Sequence, residues 1–199
     1  KQNLQLLSRI SNIENHRIDY VLDLVDLKNR SKDKVDTYSY GMKQRLGIAQ
    51  ALLHDPKVIV LDEPNNGLDP NGIADMTRLI KQMESEGKTI CLSTHNLKDV
   101  EEVCTDFTIF KNGRNTIASS MEKQLENSRR WLVSVKSPSS AISILDGNGL
   151  FKVVNKYHDS IIIESNSKNT VRDLNNLLNE LDIYKISKQS NLIEYFRND

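Results

Sequence analysis

Asp62 and Glu63 stand side by side at the end of the apolar run Val58-Ile59-Val60-Leu61 and are followed by Pro64. Two adjacent carboxylates at the carboxyl end of a strand are costly unless something charged compensates them. Open α/β sheets take their ligands at that end. Asp62 suits a hydrated Mg2+ on a nucleotide phosphate, because Mg2+ is commonly held through one or two carboxylates together with phosphates. Glu63, pointing the other way, suits a group that orients or deprotonates the water attacking a γ-phosphate. A plainer alternative is a strand end whose acids cap the next turn. Leu92-Ser93-Thr94-His95 closes a second apolar run in the same way. A lone histidine is usually structural, but two sibling strands that both end in titratable groups converge on one site.

The elements that must position these groups follow from periodicity. Leu4, Leu7 and Ile10, then Ile18, Val21, Leu22 and Val25, recur at helical spacing and predict two short amphipathic helices. A polar stretch from Lys28 to Asp36 precedes a helix over Met42 to Leu53, which His54-Asp55-Pro56 ends. The run 58–61 is β-branched and continuous, as expected of a strand buried on both faces of a parallel sheet. Gly67, Pro70 and Gly72 mark a turn; a helix over Ile73 to Glu86, a strand over Thr89 to Ser93 and a helix over Asn96 to Cys104 follow. The segment 107–118 predicts a hairpin turning at Asn112-Gly113. Strands alternating with helices imply an α/β sheet to about residue 120.

Glu122 to Arg130 is polar and reads as a linker. Beyond it strands over Trp131–Val135, Phe151–Val154, Ile161–Glu164 and Tyr184–Ile186 flank helices over Ala141–Leu145 and Val171–Leu181, with a last helical turn over Leu192–Phe196. The order β-α-β-β-α-β predicts a small separate α+β domain. The expected organisation is therefore a domain over 1–122, with a helical part to about 56 and a strand-end core over 57–122, and an accessory domain over 129–199. Within the accessory domain the helix at 171–181 packs on its own sheet and Trp131 is core or interface packing; neither points to a substrate.

Bulk properties narrow the classes. The 27 basic and 27 acidic side chains cancel and are well mixed, so no field of one sign invites nucleic acid. Two cysteines, Cys91 and Cys104, form no disulfide framework pattern, which favours a reducing cytoplasm. The longest apolar run falls far short of the ~20 residues that cross a bilayer, and Lys1–Ile10 lacks the layout of a signal peptide. A soluble chain is expected. Its start at Lys1 rather than Met is the mark expected of a piece of a longer or processed protein.

Together these motifs resemble one family. Asp62-Glu63-Pro64 with Gly67-Leu68-Asp69-Pro70 is similar to the Walker B strand and D-loop of ATP-binding cassette (ABC) proteins. Ser93-Thr94-His95 resembles their H-loop, and Tyr38-Ser39-Tyr40-Gly41-Met42-Lys43-Gln44-Arg45 resembles the signature motif opening its helix. The order and spacing match over residues 1 to about 120. The wording of the signature is similar to subunits of bacterial exporters for peptide antibiotics and bacteriocins, and the tail after residue 130 is similar to the accessory domain many of them carry.

The resemblance implies a fold and a chemistry: a partial P-loop NTPase (ABC ATPase) core with a helical subdomain, followed by the α+β domain. It implies ATP and Mg2+ as cofactors, with Asp62 helping to hold the metal, Glu63 acting on the attacking water and His95 on the γ-phosphate. Ser39, Gly41 and Gln44 belong to a signature facing ATP held by a second ATPase subunit, most simply a second copy, at a helix start where an anion is favoured. Asp69 links the two sites across that dimer. An integral-membrane permease is the other implied partner, placing the chain in the cytoplasm, peripheral on the inner face of the membrane and powering export of an antimicrobial peptide or drug.

There are departures. The usual Leu-Ser-Gly-Gly-Gln becomes Tyr-Ser-Tyr-Gly-Met, losing the first glycine and the motif glutamine, and Asn65 replaces the usual Ser or Thr. A phosphate-cradling Gly-x-x-x-x-Gly-Lys-Ser/Thr is not found: Gly87-Lys88-Thr89 has Gln82 where the first glycine belongs, and runs helix-to-strand. The Walker A lysine and Q-loop glutamine are expected upstream of Lys1, so the chain alone is expected not to hold its own ATP. The alternative is a non-catalytic module whose Ser39 and Gly41 cap ATP on an intact partner. A DNA-repair or chromosome ATPase would carry long heptad coiled coils, and a translation factor a second cassette; neither pattern is present.

Overall fold

Three amphipathic helices begin the chain: α1 (Gln2–Ile10), α2 (Asn15–Leu24) and α3 (Tyr40–Leu52). Leu4, Ile18, Val21 and Leu22, on the faces that their spacing predicts, are buried together with Ile48, Ala49 and Leu52 of α3, while Met42 and Leu46 are only partly buried. Ile10 is the exception at 74% exposed; α1 ends there and the chain turns at Asn12, whose φ is 53°. Two single 3-10 turns, Lys28–Arg30 and Val35–Thr37, lead to the buried Tyr38, whose hydroxyl donates to the Arg30 carbonyl at 2.7 Å. The computed structural model describes residues 1–166, 171–190 and 192, and the chain divides into two compact units, Lys1–Val103 and Cys104–Asp199.

In the first unit, β1 (Val58–Asp62) pairs in parallel with β2 (Thr89–Ser93), from Val58 opposite Thr89 to Asp62 opposite Ser93. The crossover is α4 (Pro70–Ser85), which buries Met76, Leu79, Ile80 and Met83 in the same cluster as Ile59 and Leu61. Pro70 and Gly72, expected in a turn, instead lie in the first turn of α4, because Asp69 caps it and proline suits the first helical position. The expectation that β1 is buried on both faces does not hold. Ile59 and Leu61 are buried, but Val58 is 58% and Val60 75% exposed, since the described helices cover one face of this two-stranded sheet. α5 (Leu97–Val103) ends the unit.

The second unit opens with β3 (Asp106–Lys111) and β4 (Arg114–Ser120), an antiparallel hairpin. Asn112 and Gly113 both adopt positive φ, 51° and 73°, the requirement of the two-residue turn whose twist matches the strands. The polar segment read as a linker is largely α6 (Met121–Asn127), capped by Ser120, and the Lys188 ammonium donates to the Leu125 and Glu126 carbonyls of its last turn. The compact division thus falls earlier in the chain than the expected linker.

Four strands, β5 (Arg130–Val135), β6 (Phe151–Lys156), β7 (Ser160–Ser165) and β8 (Ile183–Gln189), form one antiparallel sheet in the order β6-β7-β5-β8. With α7 (Pro138–Asp146) and α8 (Val171–Leu177) this is a split β-α-β arrangement. Its core joins Val133, Val135, Ile161 and Ile163 to Ala141, Leu145, Leu174 and Leu178. Trp131 packs on this core, with the Lys188 ammonium 5.5 Å from its ring centroid. The turn expected over 192–196 lies outside the described residues apart from Leu192, which is buried. Among the described residues no helix is long and apolar enough to cross a membrane.

An ionic knot ties α2 to the loops beside the parallel strands. Arg17 donates to the Leu52 carbonyl at 3.0 Å and to Asp55 at 2.7 Å, and Lys88 donates to the same Asp55 oxygen at 2.7 Å. The hydrogen bond from Lys88, then the charge of Arg17, hold the Asp55 carboxyl below the usual carboxylate range. A depressed carboxyl stabilises above its unfolded pKa of about 3.9 and loses that contribution as pH falls through the folded value. Asp55 is largely exposed and its φ of 49° is one asparagine tolerates, so Asp55→Asn isolates the charge. Denaturant unfolding should show the variant less stable by under about 1 kcal/mol at neutral pH, with the difference shrinking as pH falls through the folded carboxyl's pKa. A difference that does not change with pH would rule out the ionic origin.

Candidate functional site

In-register pairing of β1 with β2 sets the last residues of the two strands, Asp62 and Ser93, side by side. The Ser93 hydroxyl donates to Asp62 Oδ1 and also accepts the Glu63 amide at 3.0 Å; the Ser93 carbonyl lies 3.2 Å from that amide. Glu63 thereby leaves the strand with φ 45°, a left-handed backbone that costs a non-glycine residue roughly 1 kcal/mol or more and is held here by Ser93. The kink aims its carboxylate at His95, whose Nδ1–H donates to Oε1 at 2.9 Å.

His95 is itself placed by a tight turn. Thr94 Oγ1 and Asn96 Nδ2 both donate to the buried carboxylate of Asp99, at 3.0 and 3.1 Å, and the Asn96 amide donates back to Thr94 Oγ1. The Asn96-x-x-Asp99 spacing before an apolar helix is the cue that could have singled out Asp99. Ser93 was legible as part of a motif, but its bridging of two carboxyl-bearing residues needs the strand register. The ring of His95 is 79% exposed on its side chain, so Nε2 faces solvent. The hydrogen bond to Glu63, then the charge of Glu63, raise the imidazole pKa above its usual value, with Asp99 adding a smaller push.

The second group of expected residues lies where α3 begins. Ser39 is its N-cap, exposed and extended, with Oγ accepting the Met42 amide at 3.3 Å. Gly41 faces Leu68 closely: a Cβ added there would stand 3.1 Å from Leu68 Cδ2. Gln44 has its side-chain oxygen buried and without a donor among the described residues, as does Asn65. Asp69 caps α4, Oδ1 accepting the Gly72 amide at 2.8 Å. Asp62, Glu63 and His95 thus form one hydrogen-bonded group with Ser93; Ser39, Gly41, Gln44 and Asp69 share no hydrogen bond with it. They are connected to it through the turn that runs from Glu63 to Asp69, with the Asn66 amide on the Glu63 carbonyl at 3.1 Å.

A fit for Mg2+ can be tested on this geometry. Asp62 is exposed and braced by one hydroxyl, leaving lone pairs for a hydrated cation. Among the described residues no three His, Cys, Asp or Glu side chains converge, so a metal here is one held chiefly by phosphate and water. The residues fit that mode.

The parallel strand pair, whose ends present a carboxylate pair and a histidine, fits the α/β P-loop NTPase core of the solved structures that the chain resembles. Residues 1–66 match the family model described as "ABC transporter", and over most of its length the chain is similar to ABC transporter ATP-binding proteins. It is 35% identical over 185 residues to an uncharacterized ABC transporter ATP-binding protein, YdbJ, of Bacillus subtilis, covering 92% of this chain and 59% of that protein. It is 33% identical over 202 residues to the bacitracin transport ATP-binding protein BcrA of Bacillus licheniformis, covering 98% and 66%. Among solved structures it resembles cbiO1 of Clostridium perfringens, described as part of the ABC transporter complex cbiONQ, with TM-score 0.52 and 31% identity over 56% of this chain and 45% of that one. The chain spans under two thirds of the length of these relatives.

Because Glu63 raises the His95 pKa, Glu63→Gln should return it toward the usual histidine range. In the folded chain the pair's stabilisation is present at low pH and is lost as pH rises through the folded value. A pH titration of the His95 ring by NMR, in the chain and in the variant, checks this. Identical titrations would mean that the 2.9 Å contact does not persist in solution.

Proposed function

We propose that this chain is part of an ATP-hydrolysing subunit that powers export through a separate membrane permease, working with a second ATPase subunit, most simply another copy. What carries the reading is the hydrogen-bonded set Asp62, Ser93, Glu63 and His95 at the carboxyl ends of two adjacent parallel strands. The names of similar proteins for bacitracin and lantibiotic transport support antimicrobial peptides as the cargo. A subunit of this kind sits peripherally on the cytoplasmic face of the membrane.

In this mechanism Asp62, its carboxylate fixed by Ser93, would help to hold Mg2+. The metal, when bound, would supply charge to neutralise the phosphates. One Glu63 oxygen accepts the hydrogen bond from His95 Nδ1–H, which leaves the other to orient the attacking water and receive its proton. His95, in the protonated form that the nearby Glu63 carboxylate favours, offers its solvent-facing Nε2–H to a γ-phosphate oxygen. Ser39 and Gly41 present a hydroxyl and a backbone N–H at the start of α3 to the phosphates held by the second subunit, and Asp69 links the two sites.

A second reading is favoured by the exposed Ser39 cap together with the lack of any phosphate-loop motif in these 199 residues. The 199 residues by themselves then act as a non-catalytic cap on ATP held by an intact partner. Mixing the chain with such a subunit separates the readings: ATP-dependent association supports the cap, and none removes it. Calorimetry with Mg-ATP should give no binding by the chain and binding once an upstream phosphate-loop segment is joined to it. Tight binding by the chain alone would overturn the assignment of the site. In that longer subunit Glu63→Gln should abolish turnover, by about 100-fold or more, while ATP still binds. Unchanged turnover would remove Glu63 from the mechanism.

A further inference from the structure

Tyr40 follows the cap residue Ser39 and is 60% exposed, yet its ring is not idle. One edge lies over Gly67: a Cβ added to that glycine would stand 3.3 Å from the ring's Cε1. Immediately beside it, a Cβ on Gly41 would stand 3.1 Å from Leu68 Cδ2. The first turn of α3 and the turn before α4 therefore interlock at two glycines, each filled by a side chain from the opposite segment. Leu68 also packs against the buried cluster of the first unit. Gly67 has φ 73°, so a side chain there would be strained as well as crowded.

The turn's own hydrogen bonds are local, Asn66 amide to Glu63 carbonyl at 3.1 Å and Leu68 amide to Asn65 carbonyl at 3.3 Å. They shape the turn without fixing its place against α3. Packing at Gly67 and Leu68 does that. The Tyr40 hydroxyl has no hydrogen bond among the described residues, so the ring and not its polar tip makes the contact.

We propose that Tyr40 is a positioning residue: its ring on Gly67 fixes the turn from Glu63 to Asp69 against the first turn of α3, so that Ser39 and Gly41 keep one placement relative to Glu63 and Asp69. Its catalytic consequence rests on the ATPase reading above; the mechanical coupling does not. A small residue at position 40 would leave Gly67 uncovered and the turn free to shift. Phenylalanine would preserve the contact.

Two measurements test it. In the 199-residue chain, amide hydrogen exchange at Leu68 and Gly72 should quicken about fivefold in Tyr40→Ala, stay unchanged in Tyr40→Phe, and leave the β1 amides alone. Gly67→Ala should perturb Met42 and Leu46 of α3 less in a Tyr40→Ala background, because its Cβ then has room. In a longer subunit carrying a phosphate loop, Tyr40→Ala should lower kcat about tenfold with KM for ATP little changed, and Tyr40→Phe should restore it. Exchange unmoved by Tyr40→Ala overturns the coupling. Altered exchange with unaltered kcat overturns the positioning role. A wild-type subunit that hydrolyses no ATP overturns the ATPase reading and the catalytic part of this one, while the exchange result still judges the coupling.

Discussion

The site depends on one side chain between two strands. Ser93 donates a hydrogen bond to Asp62 and accepts one from the Glu63 amide, so a single hydroxyl fixes the carboxylate of one residue and the backbone of the next. It can do so because β1 and β2 pair with Asp62 opposite Ser93. A slip of one residue would turn the serine to the other face, since side chains alternate along a strand. The register is itself held by burial: Ile59 and Leu61 alternate inward onto α4, leaving the strand one favourable setting.

From that anchor the geometry propagates. The left-handed Glu63 ends the strand abruptly and sends the chain into the turn that carries Asp69 to the start of α4. Without the kink the carboxylate would follow the strand's alternation; with it, the carboxylate meets His95 at 2.9 Å. His95 arrives from the other strand on a turn braced by Thr94, Asn96 and Asp99. Charge follows geometry here, since the nearby carboxylate raises the imidazole pKa above its usual value.

The same sheet presents Val58 and Val60 to solvent. Parallel sheets are generally covered on both faces, and this row of β-branched side chains has the composition of a covered face. The continuous apolar run thus did not mark a strand buried on both faces, because the described helices cover one side of it. The second unit shows the contrasting case: among the described residues, a four-stranded antiparallel sheet whose apolar residues alternate onto two helices.

Short-range physics was legible in the sequence. Helical spacing placed α1, α2 and α8, the Asn112-Gly113 pair placed the hairpin, and the order of strands and helices anticipated the four-stranded sheet with α7 and α8. The motif residues Asp62, Glu63 and His95 were recognisable because charged groups at the ends of apolar strands are conspicuous. Helix starts were read late, at Met42 and Ile73, because capping by Ser39 and Asp69 draws preceding residues into the helix. A polar surface made α6 look like a linker, although a cap and the Lys188 ammonium at its last carbonyls hold it. Tertiary structure alone decided the bridging by Ser93, the kink at Glu63 and the cover of Gly67 by Tyr40. Each is a contact between residues distant in the chain, set by strand register and packing, and local pattern carries no information about either.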